Sequence, residues 1–287
     1  MRLHGVSSKG LVVQDLSRHF NGVKAVNNVS FTLSPGETLA VVGPNGAGKS
    51  TLIQLLSGIE RPTHGRIWLN GRRIDKLSPE RIARSGLGRS FQTSRVFPAL
   101  SVWDSALLGT QAALLRDDSK GRLIDPVQEL LSELISLPRW RHRLERQKEL
   151  AREALEHFGD RLWPRRDAAT FTLSYANRRR LEIARVLAGG PDFILLDEPA
   201  AGMNPTETAE LTDLLLGLRE RQPQLGILVV EHKLSLVRRV ADRVIVLNQG
   251  EVLVEGQPDH ALDHPAVVEA YVGRERKRPI DSDAHHG

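Results

Sequence analysis

The stretch GPNGAGKST, residues 43–51, fits the spacing G-x-x-x-x-G-K-[ST] at Gly43, Gly48, Lys49 and Ser50. Chance supplies that pattern in roughly one chain of this length in a hundred. The context narrows it further, because the apolar run LAVV precedes it and the helical pattern STLIQLLSGI follows. In such a loop, glycines let backbone N–H groups close around a β-phosphate. The lysine reaches the β- and γ-phosphates, and the serine hydroxyl ligates Mg²⁺. Pro44, Asn45, Gly46, Ala47 and Thr51 fill out the cradle. A phosphate site of this kind needs a carboxylate on a neighbouring strand, and FILLDEP supplies two. Asp197, at the end of the apolar run, suits the Mg²⁺ shell through water. Glu198 beside it suits polarisation of an attacking water. His232 ends the next apolar run, ILVVEH. A strand-end histidine alone is more often an ordinary hydrogen-bonded residue. Following a phosphate loop and an acidic pair in that order, it reads as a sensor of the γ-phosphate.

These residues need strands to carry them. LAVV, FILLDE and LGILVVEH are apolar without alternation, as in parallel strands buried on both faces. TETAELTDLLLGLRER between the last two has helical periodicity, which makes a strand–helix–strand unit. Before the phosphate loop, LVVQDLSRHF and KAVNNVSFTL flank Asn21-Gly22, and GRIWLNGRRI after it turns at Asn70-Gly71. DRVIVLNQGEVLVEG reads as a closing hairpin turning at Gln249-Gly250. From Pro79 to about Pro191 helical patterns dominate, including DPVQELLSELISL and LERQKELAREALEHF, with few strand signals. The tail RERKRPIDSDAHHG is polar and reads as disordered. The fold class expected is α/β: a P-loop NTPase core with an antiparallel β subdomain and an inserted α-helical subdomain. The boundaries read as 10–93 and 190–257 for the core, 94–189 for the helical insertion, and 258–287 for a C-terminal extension.

The composition fits a globular protein. Of 287 residues, 40% are hydrophobic and 26% charged, and the net charge of +5 is mild. There is no cysteine, which excludes disulfides and thiolate metal sites. No run approaches the roughly eighteen apolar residues of a membrane span, so any membrane role is expected to be peripheral. Basic clusters at 139–152, 178–180 and 274–278 read as solvated faces, and no nucleic-acid partner is expected.

One stretch resists an ordinary reading. LSYANRRRLEIARVL, residues 173–187, has a clear apolar stripe in its second half, with Arg178 to Arg180 expected to point outward. Ser174 is a good N-cap, yet Tyr175 and Ala176 follow where a phosphate-binding turn would favour glycine.

Taken in order from about residue 10 to 273, these motifs resemble the ATP-binding subunit of an ABC transporter. The resemblance implies ATP and Mg²⁺ as ligands. It implies Phe20 as the aromatic that stacks on adenine, with Val26 beside it, and Gln92 in SFQT as a catalytic glutamine linking metal, water and membrane subunit. Asp197-Glu198 becomes the second acidic motif, and Gly202 and Asn204 in AAGMN belong to a loop at the subunit interface. His232 becomes the switch histidine. LSYAN becomes the signature: Ser174, Tyr175, Ala176 and Asn177 would face the γ-phosphate held by the opposite subunit. The usual signature is Leu-Ser-Gly-Gly-Gln, so Ala176 and Asn177 depart from it. Two readings of Ala176 stay open: its methyl holds the phosphate slightly away and attenuates that half-site, or it is a tolerated variation of the helix start. SRHFNGVKAVNNVSF, GRSFQTSRVFPALSVWDSALLG and HPAVVEAYVG are further similar to the larger ATPase of branched-chain amino acid importers. That implies a sister ATPase subunit (or a second copy), two transmembrane permeases, an extracytoplasmic binding protein acting indirectly, and a place on the cytoplasmic face of the cell membrane. A urea, amide or exported-lipid cargo is the alternative within the family. A soluble ABC ATPase of translation or DNA repair is the alternative outside transport, and the single P-loop and lack of sustained heptads weigh against it.

Overall fold

The computed structural model describes residues 9–90, 98–118 and 137–275. Two sheets organise the chain. The first is antiparallel, in the order β2-β1-β4-β5, from β1 (Leu11–Phe20), β2 (Val23–Leu33), β4 (His64–Leu69) and β5 (Arg72–Arg73). Asn21 and Gly22 both take positive φ between β1 and β2, the backbone twist a two-residue hairpin requires. The second sheet runs β10-β9-β3-β8-β7-β6. Its strands are β3 (Thr38–Val42), β6 (Leu87–Arg89), β7 (Phe193–Asp197), β8 (Gly226–Val230), β9 (Arg243–Asn248) and β10 (Glu251–Gly256). Every pairing in it is parallel except β9 with β10, which forms the hairpin expected at Gln249-Gly250.

β3, β7 and β8 are buried at every residue, and their side chains divide by alternation. Ala40, Val42, Ile194, Leu196, Ile227 and Val229 enter one core; Leu39, Val41, Phe193, Leu195, Leu228 and Val230 enter the other. The second core joins the antiparallel sheet and α1 (Lys49–Leu56) to the parallel sheet. The first core holds helices on the opposite face: α3 (Val102–Gly109), α5 (Leu137–Glu156), α6 (Tyr175–Ala188), α7 (Pro205–Arg221), α8 (Leu234–Val240) and α9 (Pro258–Leu262), and Val267 of the last helix joins it. The remaining helices are α2 (Pro79–Arg84), α4 (Gln111–Asp118) and α10 (Pro265–Glu275).

Three local expectations change. β6 lies inside the stretch read as helical. Its three residues, Leu-Gly-Arg, are too few for periodicity, and pairing with β7 alone defines it. The polar tail contributes its first residues, Arg274 and Glu275, to the end of α10. Arg179 and Arg180 do not point outward: they are 4% and 3% exposed. Nine of the fourteen residues of α6 are buried, so the helix has little solvent face, and the guanidinium groups pair internally instead. Arg179 donates to Glu182 at 3.0 Å and Arg180 to Glu210 at 2.6 Å, which is how buried arginines are tolerated. Residues 125–136 of the helix expected over DPVQELLSELISL and the end of the tail lie outside the described residues, as does Gln92.

Candidate functional site: a phosphate loop at the tips of parallel strands

The loop between β3 and α1 is shaped by glycines that nothing else could replace. Gly43 has φ 148°, and a Cβ there would sit 2.1 Å from the Leu247 carbonyl oxygen. Gly48 caps α1 in the left-handed region at φ 105°, and a Cβ would lie 2.3 Å from the Ala25 carbonyl oxygen. With the loop so held, Lys49 is 5% exposed and folds over it. Its Nζ donates to the carbonyls of Gly43 at 2.6 Å and Pro44 at 3.1 Å. The open cleft above, about 480 Å³, is lined by Asn45 through Thr51, by Glu198 and His232, and on its far wall by Val23, Lys24 and Ala25. The first N–H groups of α1 border this cleft and lack intrahelical partners, the electrostatics that attract an anion.

The carboxylates come from β7. Asp197 closes the strand and is 2% exposed; its Oδ2 accepts from Arg89 of β6 at 3.2 Å. Burial pushes its pKa up, and the nearby Arg89 guanidinium partly offsets this. Its Oδ1 is buried and has no hydrogen-bond partner among the described residues. Glu198 takes a positive φ of 48°, which turns the chain sharply out of the sheet. Its Oε1 lies 2.9 Å from His232 Nε2, so the adjacent tips of β7 and β8 deliver a carboxylate–imidazole pair to the cleft.

The other expected residues are distributed as follows. Phe20 ends β1, is 37% exposed, and carries the Arg18 guanidinium over one ring face at 4.4 Å. Val26 is fully buried in the core of the β subdomain rather than in the cleft. Alternation along β2 turns its side chain inward and leaves the cleft wall to its neighbours. Ser174 caps α6 and accepts from the Asn177 N–H at 3.3 Å. Tyr175 is exposed, and its ring packs against Gly202 of the following loop. Asn177 accepts from Arg180 at 2.7 Å. Ala176 corrects the sequence reading: at 2% exposure its methyl belongs to the helical core, not to the face that a phosphate would meet. The second residue of α6 points inward because the stripe of Leu181, Ala184 and Leu187 sets the phase of the helix. Gly202 takes φ 72°, and Asn204 caps α7 in a reciprocal capping box with Glu207. No signal of spacing pointed to Arg89, the cation beside Asp197, or to Glu231, whose buried carboxylate lies between β8 and His232.

Comparison with known proteins agrees with this geometry. The model of the ABC transporter family matches residues 26–201. The high-affinity branched-chain amino acid transport ATP-binding protein LivG of Salmonella typhimurium is 38% identical, over 92% of this chain and 97% of its own. The lipopolysaccharide export system ATP-binding protein LptB of Acidithiobacillus ferridurans is 34% identical, over 93% and 98%. Among solved structures, the ADP conformation of an ATP-binding cassette of an ABC transporter superposes with a TM-score of 0.74 at 26% identity, covering 92% of this chain and 99% of that one. Strand order, phosphate loop and sequence relatives thus converge, and the chain belongs to the ABC transporter family as one of its ATPase cassettes.

Proposed function

We propose that the chain is the ATP-hydrolysing subunit of an importer for branched-chain or related amino acids, acting at the cytoplasmic face of the cell membrane. The single observation that carries the enzymatic part is the Glu198–His232 pair at 2.9 Å above the phosphate loop. The cargo is supported by relatives such as LivG, similar over nearly the whole chain. No helix among the described residues is long and apolar enough to cross a membrane. In this reading partner permeases supply the membrane-spanning part of the transporter.

In this reading the loop from Gly43 to Thr51 binds the phosphates of ATP through its N–H groups. Lys49 exchanges its carbonyl contacts for phosphate oxygens. The buried Oδ1 of Asp197 and the hydroxyl of Ser50 suit a Mg²⁺ site, with Gln92 as a further ligand. When bound, that ion neutralises charge on the β- and γ-phosphates. Glu198 accepts a proton from the attacking water, and His232 holds the Glu198 carboxylate in place and contacts the γ-phosphate. Adenine takes the face of Phe20 opposite Arg18. Ser174 and the first N–H groups of α6 serve the nucleotide of a sister ATPase, with Gly202 and Asn204 on the loop between them. The helical segment 94–189 meets the permeases, and an extracytoplasmic binding protein delivers cargo to those permeases.

The test has two parts. Glu198→Gln should retain ATP binding and lower turnover by about 10²-fold or more, the range for losing a general base. Near-normal turnover refutes the assignment. Copurification from native membranes should return permeases, and uptake of labelled leucine should depend on Lys49. Recovery with ribosomes or DNA, or dependence of lipid export on Lys49, refutes amino acid import.

A further inference from the structure

We propose that Glu231 and Lys233, the two neighbours of His232, are positioning residues that clamp the loop 199–204 and thereby fix the Glu198–His232 pair. The inference rests on the reading of Glu198 and His232 given above. Glu231 is 2% exposed, and its carboxylate gathers three backbone donors. Oε1 accepts from the Ala200 N–H at 2.7 Å; Oε2 accepts from the N–H groups of His232 at 2.8 Å and Lys233 at 3.2 Å. Lys233 reaches the other end of the same loop. Its Nζ donates to the Met203 carbonyl at 2.6 Å and to Thr208 Oγ1 at 2.8 Å.

Three consecutive residues therefore engage one stretch, residues 198–208: Glu231 holds Ala200, His232 holds Glu198, and Lys233 holds Met203 and Thr208 at the start of α7. This arrangement answers a specific need. Glu198 has φ 48°, a conformation that a non-glycine residue keeps only when its surroundings over-determine it. Its N–H donates to the Val230 carbonyl at 2.9 Å on one side, and the Glu231 carboxylate holds Ala200 on the other. A buried carboxylate with three donors is a strong anchor, because charge-assisted hydrogen bonds in a dry site are short and costly to lose. The two groups that it spaces, a general base and the imidazole against it, must be held to a fraction of an ångström to act together.

The experiment is a double-mutant cycle on the full-length chain. Glu231→Gln keeps the volume but replaces one acceptor oxygen with an NH₂ group that faces backbone donors. Expected is a fall in ATPase kcat of roughly tenfold or more, with KM and the affinity for a fluorescent ATP analogue within about twofold. In a His232→Ala background the same substitution should add almost nothing, because both act through one geometry. A full additional loss in that background, or a raised KM with kcat intact, overturns the proposal. If His232→Ala alone leaves turnover unchanged, the reading of His232 falls and this inference falls with it; an additive result with an impaired His232→Ala removes only the inference. Should Glu231→Gln fail to fold, Lys233→Met at a half-buried position carries the same cycle, and additive behaviour there is equally fatal.

Discussion

Replacing Ala176 with glycine separates two readings of the signature helix. If the alanine methyl pressed on a phosphate, its removal would speed hydrolysis at the half-site served by α6. The structure places that methyl in the helical core at 2% exposure, in the same cluster as Leu173 and Met203. Removing it costs about 0.8 kcal/mol of apolar burial. The extra backbone freedom of glycine in a helix adds about 0.5–1 kcal/mol. Together the loss is about 1–2 kcal/mol. At about 2–4 °C per kcal/mol for chains approaching this size, the melting temperature should fall by several degrees. Thermal melts of the purified chain and ATPase rates of the assembled transporter, measured on the same preparation, decide it. Expected is a lower Tm with hydrolysis unchanged or slightly slower. A rate increase beyond about twofold with an unchanged Tm would show that residue 176 faces the nucleotide, and the burial argument would fail.

Gly48→Ala should abolish ATP binding in equilibrium titrations, because the new Cβ would lie 2.3 Å from the Ala25 carbonyl oxygen at a φ that alanine avoids; normal affinity would show that the loop relaxes freely. Arg89→Met removes the cation from a buried carboxylate and should cost about 3 kcal/mol near neutral pH. Its sign with pH is definite: the Asp197 pKa is already raised by burial and rises further without Arg89. Stability is then lost as pH increases above the ordinary carboxylate range, so urea melts should show a larger deficit at pH 8 than at pH 5, and equal deficits would refute the pairing. Burial pushes the His157 pKa down, and its Nε2 lies 3.0 Å from Gln222 Nε2 at the junction of α5 and α7. Its contribution is present above the ordinary histidine value of about 6.5 and lost as pH falls through the lowered folded value. His157→Gln should therefore flatten the acid limb of the stability profile, and an unchanged limb would exclude it.

The residues proposed for phosphate chemistry are legible in the sequence because glycine spacing and strand ends leave local marks. Gly43, Gly48 and Lys49 fall within one seven-residue stretch, and Asp197, Glu198 and His232 stand where apolar runs stop. What escaped depended on partners distant in the chain. Arg179 and Arg180 look like a solvated face until Glu182 and Glu210 are seen beside them. The phase of Ala176 is set by how α6 packs, not by the identity of its neighbours. Strand β6 exists only because β7 pairs with it, and Arg89 reaches Asp197 through that pairing across 108 residues of chain. Glu231 leaves no mark in the sequence, because its three backbone donors come from the fold.

The parallel sheet lies between two cores, and this bears on how the chain avoids misassembly. In a sheet with one wet face, a strand that slips by one residue puts apolar groups into water, and polarity rejects the error. Here β3, β7 and β8 are dry on both sides, so polarity cannot detect a slip. Size can. A slip in β3 would push Leu39 or Val41 into the space that fits Ala40, and a slip in β7 would drive Phe193 through the sheet to the wrong side. Overpacking of that kind costs about 1–3 kcal/mol at each site. Such a slip in β7 would also displace the Asp197–Glu198 pair relative to the phosphate loop by one residue, about 3.3 Å. The unequal volumes on the two sides of β3 and β7 therefore act as a proofreading device, and the same mismatch that rejects a slipped strand keeps the acidic pair level with the phosphate loop.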